Sequence, residues 1–132
     1  MDYEAILRHS LGQRPLEACG LIAGSVSGDG KTVGKVYLLK NLDESRVHFT
    51  VDRREQLSAV KDMRRLGLSP LGNFHSHPDT PARPSAEDIR LSFDPAASYL
   101  ILSLAGPEPV LKSFRVDRER GLAEEEPIEI VD

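Results

Sequence analysis

Two histidines one residue apart, followed by a serine and an aspartate, are the residues of this chain best suited to chemistry. They fall in His75-Ser76-His77-Pro78 and in Ser85-Ala86-Glu87-Asp88. In a strand, side chains at i and i+2 point to the same face. The imidazoles of His75 and His77 can then converge on one ion while Ser76 points away. Pro78 cannot donate to a ladder, so it ends the strand beside a loop, which suits an open site. A catalytic zinc ion takes three protein ligands and one water. Asp88 is the best candidate for the third ligand, because Ser85 and Asp88 lie three apart at a helix start and share one turn. The same Ser-x-x-Asp spacing is that of a capping box, in which both side chains satisfy backbone N–H groups. The two readings can coexist, with Ser85 as the N-cap and its hydroxyl facing the site.

These residues need elements to position them. Leu71 to His77 reads as a strand that runs into the motif. Pro78 to Pro84 holds three prolines in seven residues and reads as a stiff loop. Ser85 then starts a helix of about two turns. Upstream, residues 2–12 read as a helix with Tyr3, Ile6, Leu7 and Leu11 on one side, broken by Pro15. Glu17 to Ser25 and Thr32 to Leu39 read as a hairpin around Ser27-Gly28-Asp29-Gly30. Val47 to Val51 reads as a short third strand. Asp52 is a plausible N-cap for a helix from Arg53 to about Leu66, with Leu57, Val60, Met63 and Arg64 at helical spacing, and Gly67 ends it. Tyr99 to Leu104 and Val110 to Val116 are two further strands. The acidic segment Glu124 to Glu126 is expected to be exposed, and Ile128 to Val131 to form a final edge strand. The order predicts an α/β sandwich with a mixed, largely antiparallel sheet between helices.

Composition narrows the function. The 132 residues fit one domain spanning 1–132, with a core large enough to stand without disulfides. The formal net charge of −4 disfavours nucleic acid, and the chain has no Trp and few aromatics for base stacking. The basic groups at Arg53-Arg54 and from Lys61 to Arg65 read as a solvated helix face. Cys19 is the only cysteine and reads as a small buried hydrophobe. His9 and His48 read as surface or structural residues. The N-terminus lacks an apolar leader and no apolar stretch is long enough to span a bilayer, which predicts a cytoplasmic protein with no membrane partner.

The string His75-Ser76-His77, seven residues, Ser85, two residues, Asp88 resembles the JAMM (MPN+) metallopeptidase motif. That motif places a glutamate at a distance before His-[Ser/Thr]-His-x7-Ser-x-x-Asp. Glu17-Ala18-Cys19-Gly20-Leu21-Ile22-Ala23-Gly24 is similar to the family's first strand, and the likeness runs from Glu17 to about Val116. The resemblance implies a single-domain MPN (cytidine-deaminase-like) sandwich of the stand-alone prokaryotic type. It implies one zinc ion per chain held by His75, His77 and Asp88, with Glu17 as general base and Ser85 as oxyanion donor. The implied substrate is a small ubiquitin-fold or sulfur-carrier protein with a Gly-Gly end, hydrolysed at the bond after that end. Two other classes remain open at this stage. Two histidines and a carboxylate also make the facial triad of non-haem iron enzymes. An MPN fold can also serve as a non-catalytic protein-binding scaffold, although scaffolds generally have broken ligand positions.

Overall fold

The computed structural model of the protein describes residues 2–28 and 30–131. Its elements in chain order are α1 (Asp2–Gln13), β1 (Cys19–Ser27), β2 (Gly30–Leu39), α2 (Arg53–Leu66), β3 (Ser69–His77), α3 (Ala86–Arg90), β4 (Ser98–Ser103), β5 (Val110–Asp117) and β6 (Leu122–Glu126). The strands form one six-stranded sheet in the order β2-β1-β3-β4-β5-β6. Every neighbouring pair is antiparallel except β3 and β4, which run parallel. Parallel strands need a crossover, and the proline loop with α3 supplies it. The expected α/β sandwich with a mixed, largely antiparallel sheet is what forms.

Alternation along the strands sorts side chains to two faces. On one face Ile22, Phe74, Leu100 and Leu102 pack with Ile6 of α1. On the other, α2 sets Ala59 and Met63 against Ala23. Beside it, Ile89 of α3 and the buried Ala82 pack on Ile101, Phe114 and Val116. The candidate site lies on this second face, along β3. On the first face Gly20 leaves room for the Phe74 ring, since a Cβ at that position would strike that ring and the Tyr37 carbonyl.

Several local expectations hold. Asp52 caps α2 by accepting from the Arg54 N–H, and Gly67 ends it in the left-handed region at φ 71°. Others are corrected. Val47 to Val51 is not a strand; only an isolated bridge joins Asn41 to Val51. Its residues are drawn instead into a loop organised by the Asn41 side chain. The final edge strand is Leu122–Glu126, not Ile128 to Val131. The turn ending at Gly121, with φ 66°, starts pairing at Asp117–Leu122, and the ladder ends at Ser113–Glu126, just before Pro127. Glu124 and Glu125 are exposed as expected, but on that strand. In α2 the buried positions are Ala59 and Met63, whereas Leu57 faces outward.

Candidate metal centre

β3 delivers both histidines. Residues 74 to 77 are all buried, and His75 and His77 stand on the same face. The antiparallel register of β1 and β3 pairs Cys19 with His75. The next step continues through side chain and backbone: Ser76 N–H donates to the Ala18 carbonyl at 3.0 Å, and Ala18 N–H donates to Ser76 Oγ at 2.7 Å. Glu17, one residue before Ala18, lies close enough to His77 for their charges to interact. Cys19 opposes His75, and the charges of His77 and Asp88 both act on Glu17, two residues before it, which sets Glu17 beside the histidines.

α3 delivers the aspartate. Ser85 Oγ accepts from Asp88 N–H at 3.0 Å, and Asp88 Oδ2 accepts from Ser85 N–H at 2.9 Å. The capping box is therefore real. The same Oδ2 lies 3.2 Å from His75 Nε2 and 3.1 Å from His77 Nε2. Capping and convergence on the histidines are thus done by one oxygen. The Ser85 hydroxyl, on an exposed residue, uses its oxygen in the cap and donates its own hydrogen to no described residue.

The two Nε2 atoms are 3.1 Å apart, so three ligand atoms form a nearly equilateral triangle. A tetrahedral zinc site with bonds of about 2.0–2.1 Å has ligand-to-ligand edges of about 3.3–3.4 Å. The triangle fits that shape closely. Proton placement points the same way. His77 Nδ1 lies 2.9 Å from the Pro81 carbonyl, which can only accept, so Nδ1 carries a proton and Nε2 is the nitrogen left to bind a metal. That nitrogen, His75 Nε2 and the Asp88 carboxylate aim at one spot, where a metal cation can take the place of the protons they share.

The two histidines are held differently. The proline loop fixes His77 through Pro81, and the loop is anchored in turn by Ser103 Oγ, which donates to the Thr80 carbonyl at 2.6 Å. His75 Nδ1 makes no hydrogen bond among the described residues. Its ring is instead stacked on Phe49, with centroids 4.9 Å apart and planes 28° off parallel.

Electrostatics follow from this packing. Burial pushes Asp88 up, but the hydrogen bonds from His75 and His77, their charge and the Ser85 N–H outweigh it and hold the carboxyl far below the usual range. Burial pulls His77 down, but its bonds to Asp88 and Pro81 and the charges of Asp88 and Glu17 outweigh it and hold it above the ordinary value. Glu17 is 2% exposed and its Oε1 has no partner among the described residues. Burial, helped by the charges of Asp88 and Glu87 and opposed by His77, raises its pKa to about 8.

Beside the triangle is a cleft of about 180 Å³. Phe49, Asn73, His75, Leu91, Tyr99 and Ile101 are among the residues that line it.

All five sequence-derived site residues thus gather on one face: the three ligand candidates and Ser85 in direct contact, Glu17 near His77. The sequence offers no site role for Asn41 or the Pro81 carbonyl, which belong to no periodic pattern, and sets Phe49 only in an expected strand. His48 is not in a strand; it lines the cleft, its Nδ1 3.0 Å from Asp43 Oδ2. His9 is structural, its Nε2 3.0 Å from the Leu39 carbonyl. Cys19 is a free, fully buried thiol, and burial raises its pKa to about 12.

Comparison with known proteins gives a consistent picture. The profile of the family described as prokaryotic homologs of the JAB domain matches residues 2–117. The CysO-cysteine peptidase of Mycobacterium tuberculosis is 31% identical over 129 residues, covering 97% of this chain and 86% of that protein. A desampylase of Haloferax volcanii is 33% identical over 108 residues, covering 78% of this chain and 76% of its own. The solution structure of DSY2949 from Desulfitobacterium hafniense superposes with a TM-score of 0.85 at 56% identity, covering 95% of this chain and 85% of that one. The six-stranded mixed sheet with its helices is the architecture of JAB1/MPN domain proteins. The chain belongs to the prokaryotic JAB family, as an enzyme of the JAMM hydrolase type.

Proposed function

We propose that this enzyme is a zinc-dependent peptidase or isopeptidase that hydrolyses the bond after the C-terminal Gly-Gly of a small ubiquitin-fold or sulfur-carrier protein. The observation that carries this reading is the pairing of a His75–His77–Asp88 triangle with a buried carboxylate, Glu17, whose Oε1 has no partner among the described residues. A metal-binding scaffold has no use for such a carboxylate, which costs stability where it sits.

His75 Nε2, His77 Nε2 and Asp88 Oδ2 would hold the zinc ion. Bound there, zinc supplies Lewis acidity and brings the pKa of water toward neutrality. Glu17 Oε1 takes a proton from the attacking water and returns it to the leaving amine. Its raised proton affinity suits both halves of that exchange. The Ser85 O–H donates to the oxyanion that forms at the scissile carbonyl. The narrow cleft beside His75 suits an extended glycine tail, which has no side chains to accommodate. The names of the relatives, one acting on a CysO–cysteine bond and one a desampylase, support the substrate class. A reducing, cytoplasmic setting suits the free thiol of Cys19.

The test is to measure metal by mass spectrometry and to incubate the protein with a Gly-Gly-ended ubiquitin-fold protein fused to a short peptide. Near-stoichiometric zinc and cleavage directly after Gly-Gly are expected. A protein that bound iron instead, or that cleaved none of a panel of such fusions, would contradict the reading.

A further inference from the structure

We infer that Asn41 is a positioning residue for Glu17, acting through a strap of residues 41–52 that Asn41 ties together. The inference rests on the reading of Glu17 as the general base.

Glu17 Oε1 has no hydrogen bond among the described residues to steer it, so the carboxylate inherits its place from its backbone. That backbone lies just before β1, outside the ladder. Both of its polar groups are held by the strap. Glu17 N–H donates to the Ser45 carbonyl at 2.7 Å, and the Glu17 carbonyl accepts from Asn41 Nδ2 at 3.0 Å. Asn41, 2% exposed, uses the rest of its amide on the strap itself. Nδ2 also donates to the His48 carbonyl at 3.0 Å and, more weakly, to that of Ser45 at 3.5 Å. Oδ1 accepts from Asp43 N–H at 3.0 Å and Thr50 N–H at 3.2 Å. The base of the strap is closed by Leu42 N–H, which donates to the Thr50 carbonyl at 2.9 Å.

The side-chain amide is required chemically. Only a group with two donors and an acceptor on one short stem can serve all of these partners. Aspartate has the same shape but no donor, and would set a negative charge against three carbonyls.

Asn41→Asp, Glu17→Gln and the double variant are compared with the parent by single-turnover cleavage of the Gly-Gly fusion, zinc content and amide hydrogen exchange at Glu17. Asn41→Asp is expected to keep its zinc, to exchange the Glu17 amide faster, and to lose about 30-fold in kcat with KM changed less than about threefold, as a displaced base predicts. In the Glu17→Gln background the same substitution should cost less than about twofold, because its effect runs through a carboxylate already removed. A residue that merely supported the fold would lose the same factor in both backgrounds, and that result would overturn the inference, as would a kcat within twofold of the parent. If Glu17→Gln cleaved like the parent, the general-base reading itself would fall, and this inference with it. Should Asn41→Asp not fold, Asn41→Ser keeps a short polar side chain in the turn and is judged by the same outcomes.

Discussion

Asp62 and Glu17 are two carboxylates that the same sheet treats in opposite ways. Asp62, on α2, accepts from Lys35 Nζ at 2.6 Å, Arg65 Nη2 at 2.6 Å and Tyr37 OH at 2.7 Å. Those hydrogen bonds, Lys35 first, hold its carboxyl well below the usual range. Glu17 is more deeply buried, yet no cation among the described residues pairs with it, and its pKa rises to about 8. The Asp62 cluster satisfies every demand of its charge and helps pin α2 to β2. The Glu17 cluster leaves demands unmet. An unpaired buried carboxylate is kept where chemistry needs a base, so the contrast separates the part of the molecule built to last from the part built to react.

The contrast can be broken most severely at the ligands. Asp88→Ala removes a ligand atom and half of the capping box together, and is expected to abolish stoichiometric zinc binding and all cleavage. Mass spectrometry of the purified variant checks it. Next comes Phe49→Ala, which leaves His75 with neither a stacked ring nor an Nδ1 partner among the described residues. Zinc affinity, measured by chelator competition, should fall about 10-fold, toward the range seen when groups that orient ligands are lost.

Smaller effects test the two carboxylates directly. The Glu17 pKa is raised in the folded state, so its contribution to stability is intact below its unfolded value near 4.3 and is lost as pH rises through about 8. Metal-free Glu17→Gln should therefore match the parent in Tm near pH 4 and exceed it by several degrees above pH 8. Asp62 has the opposite sign. Its lowered pKa stabilises the fold above the unfolded value near 3.9, and that gain disappears as pH falls. Asp62→Asn should lower Tm by about 2 °C at neutral pH and low salt, and by less as pH is lowered toward 2. Calorimetry across pH reads both.

The features legible in the sequence were those with short-range geometry. His75 and His77 share a face because strands alternate, and Ser85 and Asp88 share a turn because helices repeat. Glu17 lies far upstream of them, and only the non-local pairing of β1 with β3, which begins at Cys19 and His75, brings it near His77. The sequence could nominate it through family resemblance but not through spacing. Asn41 gave no signal at all, because a loop closed by one side-chain amide has no period to detect. The apolar alternation of Val47 to Val51 suggested a strand, and the Asn41 hydrogen bonds overrode it. Ile128 to Val131 has stronger strand character than the acidic Leu122–Glu126. Hairpin geometry decided the matter, since the turn at Gly121 pairs the nearer segment first.

The most direct measurement is cleavage of a Gly-Gly-ended fusion by zinc-loaded Glu17→Gln beside the parent. The account predicts unchanged zinc content and a fall in kcat of about 10³-fold, within the range for loss of a general base. A variant that held its zinc and cleaved as fast as the parent would contradict it.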